Sequence, residues 1–293
     1  MRIAVVGLGG VGGYLASMLS KTSHEVVGFA RGEHLQAVQE GGVKIVEENQ
    51  TWSARIDARE LHDADGYFDI VLFCVKSYDL ENSYKQISSF VDKKSVILSF
   101  SNGVSNAKTL QMLSDSTVLD ACIYILSHIE NSGVIRKKGE VFAAVFGGEE
   151  MATQKLKELF DEASLRNKTP HDIQSALWKK YIFISAFATL TSYYDKSIGY
   201  VYENHYTEAK ALLEEIALVA KTNGIDIEEE IEKSLVTARK VPYDSSTSMH
   251  LDFTKHKKTE LEALSGYIVK EAQKIGVNVP QMEKMYNKLL YKI

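Results

Sequence analysis

The stretch that decides the fold lies at the start of the chain, residues 2–31, RIAVVGLGGVGGYLASMLSKTSHEVVGFAR. Arg2–Val6 is a short β-branched run of the kind that forms a buried strand. Gly7-Leu8-Gly9-Gly10-Val11-Gly12 follows it, and then Val11, Leu15, Met18 and Leu19 recur at helical spacing. Residues 24–29, HEVVGF, read as a second strand. A G-x-G-x-x-G between a strand and a helix predicts a dinucleotide-binding turn. Its glycines allow the tight bend, the approach of a pyrophosphate to the backbone, and close packing of helix on strand. The start of the helix adds N–H groups without helical partners and a partial positive charge for the phosphates.

Further strands are read at residues 69–75 (DIVLFCV) and 95–100 (SVILSF) and within 117–125. Helical patterns at 35–40, 77–91 and 104–113 lie among them. Short, fully apolar strands separated by helices predict a parallel sheet covered on both faces. Residues 43–56 suggest a polar hairpin turning near Glu48-Asn49, and 133–147 (GVIRKKGEVFAAVFG) another pair of strands. After about residue 167 the strand signals stop. Residues 173–194, 203–223, 227–240, 254–275 and 280–291 then carry helical patterns, with Gly224 as a stop. The expectation is an α/β protein: an N-terminal Rossmann-type doubly wound sheet over residues 1–167, then an all-helical C-terminal domain over 168–293. The boundary falls in the polar stretch before Pro170.

A length of 293 residues fits one large or two medium domains. Apolar residues at 45% and charged residues at 25% exclude general disorder. With 34 Lys+Arg against 39 Asp+Glu, the balance argues against a nucleic-acid partner. The longest apolar run, residues 181–190, is about half the ~20 residues that span a bilayer. Gly7, Gly9, Gly10, Gly12 and Gly13 would break the apolar helix of a signal peptide. No membrane segment and a cytoplasmic location are therefore expected. Cys74 and Cys122 lie in apolar runs and read as free, buried thiols. His250, Asp252 and His256 have the spacing of neither a zinc finger nor an H-E-x-x-H helix, and no metal is expected.

The second strand runs out at Gly28-Phe29-Ala30-Arg31, where an NAD site usually places an acidic residue. Small Ala30 leaves room, and Arg31 suits bidentate pairing with a 2′-phosphate, so NADP(H) is the expected cofactor. Glu33, two residues on, offers the weaker NAD alternative. Lys180 stands in a helical pattern that is apolar on almost every side: Ala176, Leu177, Tyr181, Ile182, Phe183, Ile184 and Phe187. A lysine so placed is a candidate general acid, because hydride reduction of a ketone needs a proton for the developing alkoxide. Glu260 follows the basic run Lys255-His256-Lys257-Lys258 and by itself reads as a first-turn helix acid. Asn102 and Lys76 end neighbouring strands at the carboxyl edge of the sheet, where open α/β folds bind ligands.

These features together resemble the ketopantoate reductase (2-dehydropantoate 2-reductase) family almost end to end. The resemblance rests on GLGGVG, Ala30-Arg31, Val75-Lys76 and Ser101-Asn102-Gly103, then on Trp178-Lys179-Lys180, Ser248-Met249, Thr259-Glu260 and residues 276–280 (GVNVP). It implies NADPH-dependent reduction of a small-molecule 2-oxo acid, with Lys180 and Glu260 catalytic and Glu260 the partner of that lysine. It assigns the cofactor to Gly7, Leu8, Gly9, Gly10, Val11, Gly12, Arg31, Lys76 and Asn102, and the substrate to Ser248 and again Asn102. Ser245, Ser246 and Thr247 surround Ser248, so a capping cluster is an equal reading there. Helical second domains of such enzymes can pair, which allows a homodimer.

The family's lysine helix carries asparagines four and eight residues on, and another stands in the loop beyond. Here those positions are Ile184, Ala188 and Ile198, and Thr191 falls near the same face. Ketopantoate is the first substrate expected, with a more hydrophobic 2-oxo acid as the alternative. From a different class of protein, a non-catalytic NADP(H) sensor would account for the lost asparagines but not for a Lys180–Glu260 pair.

Overall fold

The computed structural model describes residues 1–292. It divides into two compact units, residues 1–101 with 105–173, and residues 102–104 with 174 onward. The change of unit falls a few residues beyond 167. The reason is that Asn167–Lys168, polar as they are, pair as a short strand with the sheet.

In the first unit the strands are β1 (Arg2–Val6), β2 (Glu25–Phe29), β3 (Val43–Val46), β4 (Thr51–Ala54), β5 (Asp57–Arg59), β6 (Ile70–Phe73), β7 (Val96–Ser99), β8 (Thr117–Asn131), β9 (Val134–Gly147) and β10 (Asn167–Lys168). They form one sheet in the order β4-β3-β9-β8-β7-β6-β1-β2-β5, with β10 beside β9. β3–β4 and β8–β9 pair antiparallel, and the other pairs are parallel. The helices are α1 (Gly10–Leu19), α2 (Gly32–Gly41), α3 (Leu80–Ile87), α4 (Asn106–Leu113) and α5 (Glu150–Glu162).

Alternation along the central strands explains why they are apolar throughout. Ile3, Val5, Ile70, Leu72 and Leu98 point to one face, which Leu15 and Leu19 of α1 and Leu156 and Phe160 of α5 cover. Ala4, Val6, Val71, Phe73 and Ile97 point to the other, beneath Leu80, Tyr84 and Ile87 of α3 and Leu110 of α4. Both faces are buried, so the polar half of an ordinary strand pattern is missing.

The first hairpin forms as expected, with Val46 opposite Thr51. The stretch 133–147 does not form two strands. β9 is one strand paired along its length with a β8 that runs on to Asn131. Gly139, at a φ of +61°, sits where the ladder shifts register near Ile125/Leu126 instead of turning the chain back. α5 was not legible as a helix start because Glu149 is its cap, accepting from the Met151 and Ala152 amides.

The second unit is helical: α6 (Ile173–Tyr194), α7 (Ile198–Asn204), α8 (Tyr206–Thr222), α9 (Glu229–Lys240), α10 (Ser248–Thr254), a π turn at Glu262–Gly266, α11 (Tyr267–Ile275) and α12 (Pro280–Leu290). α6 is apolar all round because it forms the centre, packed among Leu212, Leu213 and Ile216 of α8 and Met282, Met285 and Leu289 of α12. The single helix expected over 254–275 is broken. α10 ends at the exposed basic run, where His256 takes a left-handed φ of +51°, and helical structure resumes only after Glu260. Among the described residues no helix is long and apolar enough to cross a membrane.

α1 lies against β1 only because Gly12 has no side chain. A Cβ there would stand 2.0 Å from the Gly7 carbonyl oxygen and 2.8 Å from Cys74 Cβ. Gly12→Ala must push helix and strand apart. We expect a loss of about 1–3 kcal/mol, read as a lower Tm in a thermal melt.

Candidate functional site

In the first unit the turn after β1 is fixed by the backbone. Gly7 takes a φ of +97°, and the Gly7 and Leu8 amides donate to the Phe29 carbonyl at 2.9 and 3.0 Å. The first helical bond of α1 is Gly13 N–H to the Gly9 carbonyl, and no side chain caps the amides before it or brings an acid to that turn. Gly7, Gly10 and Gly12 each have neighbours that exclude a Cβ, while at Gly13 the end of the Ile135 side chain would have to move aside. Gly9 differs: nothing lies within 4 Å of where its Cβ would be, and its φ of −68° suits any residue. Neither strain nor internal packing calls for glycine there. Open space beside Gly9 at a helix start whose amides no side chain caps is the shape a pyrophosphate requires, so this turn fits a dinucleotide.

Arg31 caps α2 with its side chain almost wholly exposed, 3.6 Å from Asp79 in an ion pair. Surface pairs of this kind contribute about 0–1 kcal/mol, so the guanidinium is readily redirected to a phosphate. Glu33 lies in the first turn of α2 and is exposed. Lys76 is half-buried just after β6, at the start of a 3-10 turn. Val75 beside it accepts from the Ser101 hydroxyl at 2.6 Å, which ties together the ends of two neighbouring strands.

His34 is a member of this loop that the sequence did not announce. Its Nδ1 accepts from the Gly133 N–H at 3.1 Å, so Nε2 carries the ring proton and donates to the Leu8 carbonyl at 2.8 Å. Burial pushes the imidazole below its ordinary value of 6.5, with the Leu8 bond opposing. A lone histidine in the first turn of a helix carries no sequence signal of such a contact.

The second unit brings three of the expected residues together. Lys180, half-buried on α6, donates from Nζ to Asn102 Oδ1 at 3.2 Å. Asn102 Nδ2 donates to Glu260 Oε2 at 3.3 Å, and Glu260 is 3% exposed. Asn102 belongs here because residues 102–104 pack with the helical unit, though they follow β7 in the chain. Neighbouring Lys179 turns to Glu229 on α9 at 3.1 Å. Glu260 stands directly before the helix that resumes at Leu261, and its carboxylate is also buried and bonded to a side chain, so both positions expected for it are compatible with the structure. The sequence points Asn102 to cofactor and substrate and gives no sign of its position between Lys180 and Glu260.

Four and eight residues beyond Lys180, Ile184 is half-buried and Ala188 nearly fully buried, as is Ile198 at the start of α7. Thr191 is fully buried, its hydroxyl bonded to the Phe187 carbonyl and to Thr247 Oγ1 at 2.8 Å. Ser248 is exposed at the start of α10. Thr247, not Ser248, caps that helix, accepting from the His250 amide. His250 lies between Ser246 and Asp195, at 2.7 and 2.8 Å. Among the described residues no three His, Cys, Asp or Glu side chains are grouped to hold a metal.

A dinucleotide-type turn on a doubly wound sheet, and in the helical unit a lysine bonded to an amide that is bonded in turn to a carboxylate, fit an oxidoreductase. Two family models cover nearly the whole chain, "Ketopantoate reductase PanE/ApbA" over residues 3–148 and "Ketopantoate reductase PanE/ApbA C terminal" over 172–292. The chain therefore belongs to the ketopantoate reductase family. An uncharacterized oxidoreductase of Bacillus subtilis, YkpB, is 28% identical, the match covering 99% of this chain and 98% of that protein. The crystal structure of a 2-dehydropantoate 2-reductase from Porphyromonas gingivalis W83 is 31% identical with a TM-score of 0.85, covering 99% of each chain. A PanE/ApbA family ketopantoate reductase from Ralstonia eutropha JMP134 superposes with a TM-score of 0.93 at 26% identity, covering 100% of this chain and 98% of that one.

Two expectations follow. Gly9→Ala, with open space for its methyl, keeps the Tm of the parent protein but weakens NADPH binding in a titration, the opposite of Gly12→Ala. The unfolded chain takes up the His34 proton near 6.5 and the folded protein resists it. The stability His34 contributes is complete above that pH and is lost as pH falls toward the lowered folded value. Melts between pH 7.5 and 5.5 should show this decline, and His34→Gln, which keeps a donor and an acceptor, should flatten it.

Proposed function

We propose that the protein reduces a 2-oxo acid to the 2-hydroxy acid with NADPH, and that 2-dehydropantoate, reduced to pantoate, is its first substrate. The observation that carries this reading is the chain of hydrogen bonds Lys180–Asn102–Glu260. The nicotinamide, when bound, supplies the hydride. Lys180 gives a proton from Nζ to the oxygen of the reduced carbonyl and regains it from water. The Asn102 amide, turned by its bond to Glu260, presents its oxygen to the ammonium and keeps Nζ in one place. Arg31 pairs with the 2′-phosphate and Gly9 admits the pyrophosphate to the helix start. Support also comes from the relatives named as 2-dehydropantoate 2-reductases.

A second reading concerns the substrate alone. Ile184, Ala188 and Ile198 stand where the family keeps asparagines, and apolar side chains there favour a more hydrophobic 2-oxo acid. A hydrogen bond to a charged group contributes about 1.5–3 kcal/mol, so losing two or three would weaken ketopantoate binding by powers of ten.

NADPH oxidation, followed at the nicotinamide absorbance with ketopantoate beside bulkier 2-oxo acids, separates the readings. Ketopantoate turnover that falls about 10²–10⁴-fold in Lys180→Met supports the proposal. Turnover with the bulkier acids alone moves the substrate to the second reading. NADPH binding without turnover on any of them overturns both. Arg31→Ala should raise KM for NADPH about 10–100-fold and leave NADH kinetics unchanged.

A further inference from the structure

Two stripes run side by side along α6. Lys180, Ile184 and Ala188 form one, and Tyr181, Ser185 and Thr189, each a residue later, form the next. The second stripe grips the π turn. The Tyr181 hydroxyl shares its proton between the Leu264 carbonyl at 2.5 Å and the Ala263 carbonyl at 3.1 Å. Ser185 donates to the same Leu264 carbonyl at 3.3 Å, and Thr189 Oγ1 meets Ser265 Oγ at 2.7 Å. On its other side the turn is held by Tyr286, which donates to Glu262 at 2.6 Å.

The residues Tyr181 grips are also those that hold Glu260. The Ala263 and Leu264 amides both donate to the Glu260 carbonyl at 3.1 Å. One short path therefore runs from the residue after Lys180, through a single hydroxyl, to the backbone of Glu260. A π turn is rare, and here its Ala263 and Leu264 carbonyls accept from a side chain on another helix. Tyr181 is 1% exposed, and its ring packs edge-on against Trp178 and Tyr267. Burial raises its phenol well above the ordinary value, so the hydroxyl remains a donor at every pH where the enzyme would work.

We propose that Tyr181 is a positioning residue: by tying the π turn to α6 it sets where the Glu260 carboxylate, and through it the Asn102 amide, meets Lys180. The proposal rests on the reading of Lys180 as the acid. Tyr181 itself touches none of the reacting atoms. It fixes the spacing between two elements that carry them, and a displacement of about 1 Å at such a site can cost on the order of 100-fold in rate.

Tyr181→Phe removes the hydroxyl and keeps the ring, so the aromatic packing stays. In steady-state reduction of the best 2-oxo acid, kcat should fall about 10–100-fold with KM for NADPH unchanged. The alkaline limb of the kcat–pH profile should move to lower pH, because a carboxylate held nearby favours the protonated amine. Ser95→Ala supplies the control: it deletes a buried hydroxyl bonded to the Phe68 carbonyl at 2.7 Å in the other unit, and should lower Tm while kcat and its pH profile stay as in the parent. If Tyr181→Phe behaves like that control while Lys180→Met loses turnover, the hydroxyl is merely structural and the positioning role is overturned alone. If Lys180→Met retains turnover, the acid reading fails and the positioning role falls with it.

Discussion

An ammonium group on an apolar central helix must find partners, and much of the second unit is arranged around that requirement. Taking a lysine part-way out of water is costly unless acceptors and negative charge replace the lost solvent. Asn102 supplies the acceptor and Glu260 the negative charge, one amide away. An amide between the two charges gives the arrangement a direction. Its oxygen can face the lysine only while its nitrogen faces the carboxylate, so Glu260 sets how Asn102 presents itself. Glu260 stands in the break between α10 and the π turn, and from there its carboxylate accepts from the Asn102 amide. A continuous helix would carry that residue round at a fixed angle and rise.

The first unit works by a different economy, in which side chains are left out. Three glycines of the turn and α1 stand where neighbouring atoms leave no room for a Cβ, and Gly9 stands beside open space. Adjacent glycines in a motif thus answer to two demands, one internal and one external. The Leu8 carbonyl between them is held from α2 by an uncharged histidine. On the proposed reading the loop meets the dinucleotide with backbone amides, which makes the shape of that backbone the binding determinant.

How much of this was legible in the sequence follows from the range over which each feature is encoded. β1, the turn and α1 are contiguous, and a buried strand, a glycine pattern and a helical repeat all point to one arrangement. The parallel strands read clearly because burial on both faces removes the polar half of their pattern. The long β9 misled because Lys137-Lys138-Gly139 has the look of a turn, and only the pairing with an equally long β8 makes it a bulge. Lys180 was visible as a charge in an apolar setting. Its bond to Asn102 was not, since that contact spans 78 residues and nothing local encodes it. The π turn is invisible for the same reason: residues 254–275 have a good helical period, and the carbonyls that depart from it answer to a tyrosine on another helix.

The tripeptide 102–104 has a consequence for how this architecture can be cut and recombined. It lies in the middle of the sheet-forming sequence yet is built into the helical unit, where half-buried Val104 packs against the core and Asn102 meets the lysine. The helical unit is therefore not a continuous length of chain. A fragment starting at residue 174 carries the lysine and the carboxylate but lacks the amide that joins them. Exchanging helical units between relatives is a two-segment graft: a substitute must accept, from the N-terminal sequence of another protein, the residue that orders its own charged pair.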